Sequence, residues 1–500
     1  MPQVERGIPS DFRVSTKVVL LFFCLVLCNI LLLGNVVNAA ITLVEITMVL
    51  YFLIKGRVDH AILWHFMFTL MSIDATNALF GENSAVYDYS GMKLIGPVRI
   101  SYVISIFLFL ISLRNSFKLK GLLYKFLCFL LVIASIGSVF FLYGVFFADY
   151  YVDGAVGYFI YVGMTCCNLV VLLKNLTPYL LKALPFYLYN LLIASPVAAF
   201  VGWAVFHRVT FYSEVLPSLI QADINYLAPV LIFFAFQKDT KGKIYLYISL
   251  SCLLLNLVYA GRGGAILIFA GSCALFLFIS FFTSRGKEVP TFVKICILLC
   301  VIIGIIQICR VVFDADTPLS LSKIKMQQFL SLFTTFSAKS FEDVRNVMGA
   351  SPFIRFAELV DSFYENSHNL LHLLFGKGYG SFITDELNLL DGFDLEGGVY
   401  SHEQVISGRF CRLHGSFPAA MLIHGLVGIV GFFYFVFAYL RKITISPFAF
   451  CAFIWLGMSF YFNYQCAVYG MVSLLICDVA VARHDGLISD SGVFREKKQD

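Results

Sequence analysis

Long apolar runs alternate with short polar turns along almost the whole chain. A window of about 19 residues marks about 14 candidate spans, at 17–34, 36–54, 60–80, 97–113, 122–147, 155–173, 186–206, 220–237, 243–259, 264–282, 291–309, 415–440, 447–463 and 465–482. A helix needs about 20 such residues to cross a hydrocarbon core, and only helices or closed barrels satisfy their backbone there. Where two runs are tightly paired, one re-entrant segment is the alternative to two spans. The pattern predicts an all-α polytopic bundle of 12–14 transmembrane helices. Residues 1–309 supply about 11 of them and residues 415–500 the rest, with a tail.

One stretch breaks the pattern. From Arg310 to His414 the chain is polar for roughly 100 residues. Residues 321–337 form an amphipathic pattern suited to the membrane surface, with Ile324, Phe329, Leu332 and Phe333 on one face. Residues 352–374 read as a second helix, with Ser351 as N-cap and Pro352 at its first position. Phe356, Leu359, Val360, Phe363, Leu370, Leu371 and Leu374 recur there at helical spacing, and Gly376 stops it. The stretch 310–414 is therefore expected to be a large, partly helical external loop.

Composition removes the soluble alternative. Of 500 residues 60% are hydrophobic and 13% charged, with a mean hydropathy of +0.85; a soluble chain carries about 25% charged residues. No nucleic-acid partner is expected. The polar residues 1–16 precede a run without a small-residue cleavage site, so the first span is expected to be retained. Basic residues gather at alternate turns, among them Lys55/Arg57, Arg114/Lys118/Lys120/Lys125, Lys238/Lys241/Lys243 and Arg441/Lys442. The positive-inside rule then puts both termini in the cytoplasm and the 310–414 loop outside. The 14 cysteines show neither disulfide nor zinc spacing and read as small buried residues. The 53 Phe and 26 Tyr suit lipid contact and interface anchoring, or an aromatic groove for a polyprenyl chain or sugars.

Candidate chemistry gathers around the loop. Arg355 lies in the first turn of the second helix, where free N–H groups and a guanidinium suit phosphate oxygens; a surface Arg paired with Glu358 or Asp361 is the alternative. Arg262 lies in the turn AGRGGA (260–265), at headgroup depth for a phosphate or for simple snorkelling. Arg409, Arg412 and His414 stand where the loop meets the next span. Such cations suit a diphosphate, and His414 can act as general base; polar residues ending a span are the other reading. GKGYG (376–380) has no preceding strand and no Gly-Lys-Ser/Thr ending, so it reads as a helix stop rather than a phosphate loop. The acidic run from Asp391 to Glu396 reads as a solvated loop, and no metal or cofactor is expected. Glu45, His65, Asp74, Asp223 and His424 lie in or near spans, where helix-to-helix hydrogen bonding competes with a functional role.

These features together resemble the O-antigen polymerase/ligase family, the Wzy-type repeat-unit polymerases and O-antigen ligases. Arg262 in AGRGGA is similar to that family's upstream Arg. RFAELVDSFYENSHNLLHLLFGKGYGSF (355–382) is similar to its Arg-led helix and glycine turn, and His414 precedes Gly425-Leu426-Val427-Gly428 at the family's spacing. Gly415 stands where the family has Asn, and the residues before Arg262 lack its Ser or Thr. The resemblance implies a metal-independent, class C-like glycosyltransferase of the bacterial inner membrane. Its donor would be an oligosaccharide on undecaprenyl diphosphate and its acceptor a glycan hydroxyl, with membrane lipids and a chain-length regulator as further partners. Arg262, Arg355, Arg409 and Arg412 would neutralise the diphosphate, and His414 would take the acceptor hydroxyl's proton or orient it. A ligase acting on lipid A-core shares donor and fold. A flippase of lipid-linked sugars is the alternative from another class; it predicts related halves, which the chain lacks.

Overall fold

A computed structural model describes residues 36–71, 93–95, 98–148, 150, 152–204, 240–259, 350–391, 393, 395, 400–442, 447–461 and 464–484, with short pieces inside 20–27, 269–278 and 291–306. Their helices are α1 (Val36–Ile54), α2 (Val58–Met71), α3 (Ile100–Ser112), α4 (Leu122–Phe147), α5 (Val152–Lys174), α6 (Pro178–Ala204), α7 (Thr240–Tyr259), α8 (Ala350–Ser367), α9 (Leu370–Phe375), α10 (His402–Ser407), α11 (Ser416–Leu440), α12 (Pro447–Ser459) and α13 (Tyr464–His484). A small antiparallel pair, β1 (Lys93–Ile95) and β2 (Val98–Arg99), precedes α3. Among the described residues, three helical stretches are long and apolar enough to cross a membrane: Leu122–Phe147, Gly157–Lys174 and Ser416–Leu440. The chain is thus an all-α membrane protein. The expected spans 220–237 and most of 17–34, the helix expected at 321–337, and Arg262, Asp74 and Asp223 lie outside the described residues.

α4 shows how local sequence and tertiary contact combine. Its 26 residues carry one charge, Lys125. Gly121 at its N-cap offers no side chain, and Asp478 of α13 substitutes, accepting the Leu123 N–H at 2.7 Å. A carboxylate there also meets the positive end of the helix dipole. One turn on, Phe126 packs edge-on against Phe432, Phe435, Phe453 and Phe460, with ring centroids 5.1–6.5 Å apart. Part of the phenylalanine content therefore joins α4, α11 and α12 to each other rather than to lipid or ligand. His65 of α2 meets Ser105 of α3 at 2.9 Å, the helix-to-helix bond expected for such a residue.

The described part of the polar stretch builds a small core of its own. Phe353, Ile354, Ala357, Ile383, Leu390, Tyr400, Phe410 and Leu413 pack together, and Leu422 of α11 completes the cluster. The helix expected over 352–374 is two helices. α8 stops at Ser367, and Asn369 caps α9 by accepting the Leu371 N–H at 2.9 Å. Ser351 lies inside α8, not at its cap. α8 buries Phe353, Ile354 and Ala357 at its start, but its polar residues are buried with them. Glu358, Asp361, Ser362, Glu365 and Asn366 are buried, while Phe363 and Tyr364 are exposed.

Beyond α9 the glycine turn wedges between α4 and α11. α11 is broken at Gly425, whose φ of 60° and ψ of −156° leave the helix. A break frees the carbonyls of the preceding turn. Here Met421 O accepts from Asn366 Nδ2 at 2.7 Å, Leu422 O from the Lys377 N–H at 2.8 Å, and Ile423 O from the Gly378 N–H at 3.1 Å. Such a break survives inside a membrane protein only where the polypeptide supplies these partners. The fit demands glycine: a Cβ on Gly376 would lie 2.2 Å from the Ile423 carbonyl carbon, and one on Gly425 2.5 Å from Gly376 N.

Candidate functional site

The site forms where α8 passes the residues leading into α11. Its centre is Glu358, fully buried on α8. The carboxylate accepts the His414 main-chain N–H at 2.7 and 2.8 Å, the His414 Nδ1–H at 2.7 Å, and the Tyr400 hydroxyl. A buried carboxylate is tolerable only when its lone pairs are filled in this way. Because an ionised carboxylate only accepts, His414 carries its neutral-form proton on Nδ1, and Nε2 keeps its lone pair. Among the described residues Nε2 has no hydrogen-bond partner, and the side chain is 15% exposed. The Tyr400 ring stands edge-on to the imidazole at 5.0 Å and fixes its plane. Burial, with Glu358 alongside, pushes the Tyr400 phenol well above its usual range, so it stays a donor.

Arg355 lies one turn before Glu358 and is exposed. Its Nε–H donates to the His414 carbonyl at 3.2 Å, so the guanidinium is fastened beside the imidazole. The surface ion pair with Glu358 or Asp361 is not what holds it. Tyr158 of α5 closes the other side, its hydroxyl accepting the Leu413 N–H at 3.0 Å. Arg412 is exposed and acts electrostatically on that hydroxyl. Arg409 is exposed and stacks over the Phe382 ring at 4.8 Å. Sequence reasoning thus placed Arg355 and His414 in two separate motifs, and the fold brings them together. It set Arg409 and Arg412 beside His414; Arg409 stacks over Phe382, and Arg412 acts electrostatically on Tyr158. Arg262 falls outside the described residues.

Glu358, Tyr400 and Tyr158 were not singled out as functional. Glu358 carried one available signal: a carboxylate three residues after Arg355 on the same helix face. Nothing local marks Tyr158, which meets Leu413 from 255 residues away, or Tyr400, which meets Glu358 from 42 residues away.

A second acidic group lies below. Asp361 and Asp385 act on each other electrostatically, and Asp385 accepts the N–H groups of Leu389 and Leu390 at 2.7 and 3.0 Å. Burial, then Asp385 and the nearby Glu365 and Glu358, push the Asp361 carboxyl up to about 8. Asp361 therefore keeps its proton near neutrality. Glu365 pairs with Lys377 and accepts from the Thr384 N–H and, at 2.8 Å, its hydroxyl.

The GKGYG turn cannot serve as a phosphate loop. The N–H groups of Gly376, Lys377, Gly378 and Tyr379 donate to the carbonyls of His372, Leu422, Ile423 and Gly137. Gly376 ends α9, as a helix stop should. His424 is buried against the rings of Tyr379 and Tyr461, at 5.6 and 6.0 Å, below the site. Among the described residues no group of three His, Cys, Asp or Glu side chains is arranged to hold a metal ion. Comparison of the chain with protein-family models finds no match, and none of the curated proteins matches it.

Proposed function

We propose that this protein is a membrane glycosyltransferase that polymerises undecaprenyl-diphosphate-linked oligosaccharide repeat units at the outer face of a bacterial inner membrane. In this reading the bundle has 12–14 spans, both termini are cytoplasmic, and the 310–414 loop is external. One observation carries the proposal: a carboxylate-oriented imidazole with an open Nε2, fastened to an exposed guanidinium where the loop meets α11. That is the arrangement of a general base held by an orienting carboxylate beside a cation. It suits an attack by a hydroxyl on a centre bearing an anionic leaving group.

The step balances without a further reactant. His414 Nε2 takes the acceptor's hydroxyl proton as that oxygen bonds to the donor's anomeric carbon. The bond from that carbon to the diphosphate oxygen breaks, and its electron pair leaves with undecaprenyl diphosphate. Arg355 meets the charge that develops there; Arg409, Arg412 and Arg262 are the further cations of the proposal. Glu358 is a positioning residue, stabilising the imidazolium that forms.

The test is turnover in proteoliposomes given a competent lipid-linked repeat unit, with Arg355→Ala and His414→Ala beside wild type. A ladder of longer glycans from wild type alone is the expected result. A ladder undiminished in both variants would discard the site, and none from any protein would discard the polymerase reading.

A further inference from the structure

We propose that residues 363–380 form a re-entrant hairpin that dips into one half of the bilayer, with Phe363, Leu370 and Leu371 against lipid acyl chains. The inference rests on α4 and α11 crossing the membrane and not on glycosyl-transfer chemistry.

Depth is the first observation. The glycine turn touches α4 at Gly137, whose carbonyl accepts the Tyr379 N–H, and α11 at Gly425. At 1.5 Å per residue, Gly137 lies about 15 Å in from the Phe147 end of α4. Gly425 lies about 14 Å in from the Ser416 end of α11 by the same rise. Two independent helices thus give one depth, close to the middle of a core about 30 Å thick. α9 travels the same path, its His372 ring 5.8 Å from Phe140 of α4.

The second observation is the reversed polarity of the segment. A helix in water hides its apolar face. Within 363–380 the side chains of Glu365 and Asn366 are buried, while Phe363, Leu370 and Leu371 are 49%, 68% and 56% exposed. The reversal is costly against water and favourable against hydrocarbon. The third observation is continuity: α4, which α9 packs against, exposes Val139, Leu142, Phe146 and Phe147. The one cation of the segment's turn, Lys377, is paired with Glu365, as an ionisable group at that depth must be.

The experiment places p-benzoylphenylalanine singly at Leu370, Leu371 and Phe363 of the full chain, in vesicles of phosphatidylethanolamine and phosphatidylglycerol. Phe146, exposed near the end of α4, and Ile406, exposed on the short α10, serve as membrane and water references. After irradiation, phospholipid adducts are quantified by mass spectrometry on monodisperse protein. Yields at the three sites matching Phe146 and several-fold above Ile406 are expected. Yields no higher than at Ile406, or cross-links to a second copy in place of lipid, would overturn the proposal. The substitution at Phe363 exchanges one aromatic ring for another, so that position reports even where a leucine variant misfolds.

Discussion

Replacing Glu358 by Gln removes the charge behind the base while keeping the shape of the side chain. The carboxylate offers acceptors to three donors: the His414 main-chain N–H, its Nδ1–H and the Tyr400 hydroxyl. An amide offers one acceptor oxygen and one donor nitrogen. With the amide oxygen at the Oε1 position all three donors keep their acceptor, and only the His414 N–H loses its second contact, the one now made to Oε2 at 2.7 Å. The reversed amide would set its nitrogen against all three donors, and each buried unpaired donor costs about 1–3 kcal/mol. The imidazole therefore keeps its orientation, and what it loses is the negative charge that stabilises the imidazolium once Nε2 has taken the proton. A positioned general base contributes about 10²–10⁴-fold, so turnover should fall by up to that factor, with the donor KM nearly unchanged. The assay is the glycan ladder in proteoliposomes, timed at several pH values, beside thermal unfolding. The pH dependence of turnover should change in Glu358→Gln, whereas a purely structural strut would lower stability and leave the profile in place. Turnover and pH profile indistinguishable from wild type would refute the stabilising role.

Three further outcomes rest on the same contacts. Gly425→Ala puts a Cβ 2.5 Å from Gly376 N and 2.7 Å from Leu373 O at a positive φ, and should destabilise by about 3 kcal/mol or more in detergent unfolding. Gly56→Ala, also at positive φ but with nothing within 4 Å, should cost only about 1 kcal/mol; equal losses would show that the close approach is irrelevant. Asp361 holds its proton up to about pH 8, above the ordinary carboxylate range, so the folded state binds more protons than the unfolded one between about pH 4 and 8. Stability therefore falls as pH rises through that window; Asp361→Asn, which has no proton to lose, should flatten the decline, and parallel unfolding curves would place the proton elsewhere. Asp478→Ala removes the acceptor of the Leu123 N–H and should cost about 1–2 kcal/mol, with Asp478→Asn costing less; unchanged unfolding in both would remove the capping role.

Apolar length was enough to place α4, which runs from Leu122 to Phe147 as the hydropathy pattern predicts, and α11 to within a residue at its start. Both are long apolar runs flanked by polar residues, so their limits show in the hydropathy although distant residues complete their backbone bonding. α8 and α9 were harder because distant residues decide them. Asn369 can interrupt the predicted helix because α9 gains its own dock on α11. The apolar spacing of Phe356, Leu359, Val360 and Phe363 is visible, but periodicity does not say that Phe356 and Val360 pack against the loop core while Phe363 is exposed. The break at Gly425 was invisible for the same reason. GLVG reads as ordinary small-residue helix until Asn366, Lys377 and Gly378 arrive to take the freed carbonyls. His414 and Arg355 were visible as polar residues at a span boundary, whereas Glu358 became important only through a contact 56 residues along the chain.

The broken helix and the candidate site are two ends of one arrangement. Asn366 fixes the C-terminal end of α8 to the Met421 carbonyl, and the glycine turn ties Lys377 and Gly378 to Leu422 and Ile423. Those three bonds set the height of α8 along α11. Two turns back along α8, Glu358 then falls level with His414, just outside the N-terminal end of α11. An unbroken α11 would keep its carbonyls for itself and leave the loop no such ladder of acceptors. A shift of one helical residue is 1.5 Å, enough to pull a carboxylate out of hydrogen-bond range of Nδ1. The irregularity at Gly425 is therefore what lets a loop assembled from distant segments hold an imidazole to the tolerance that proton transfer requires.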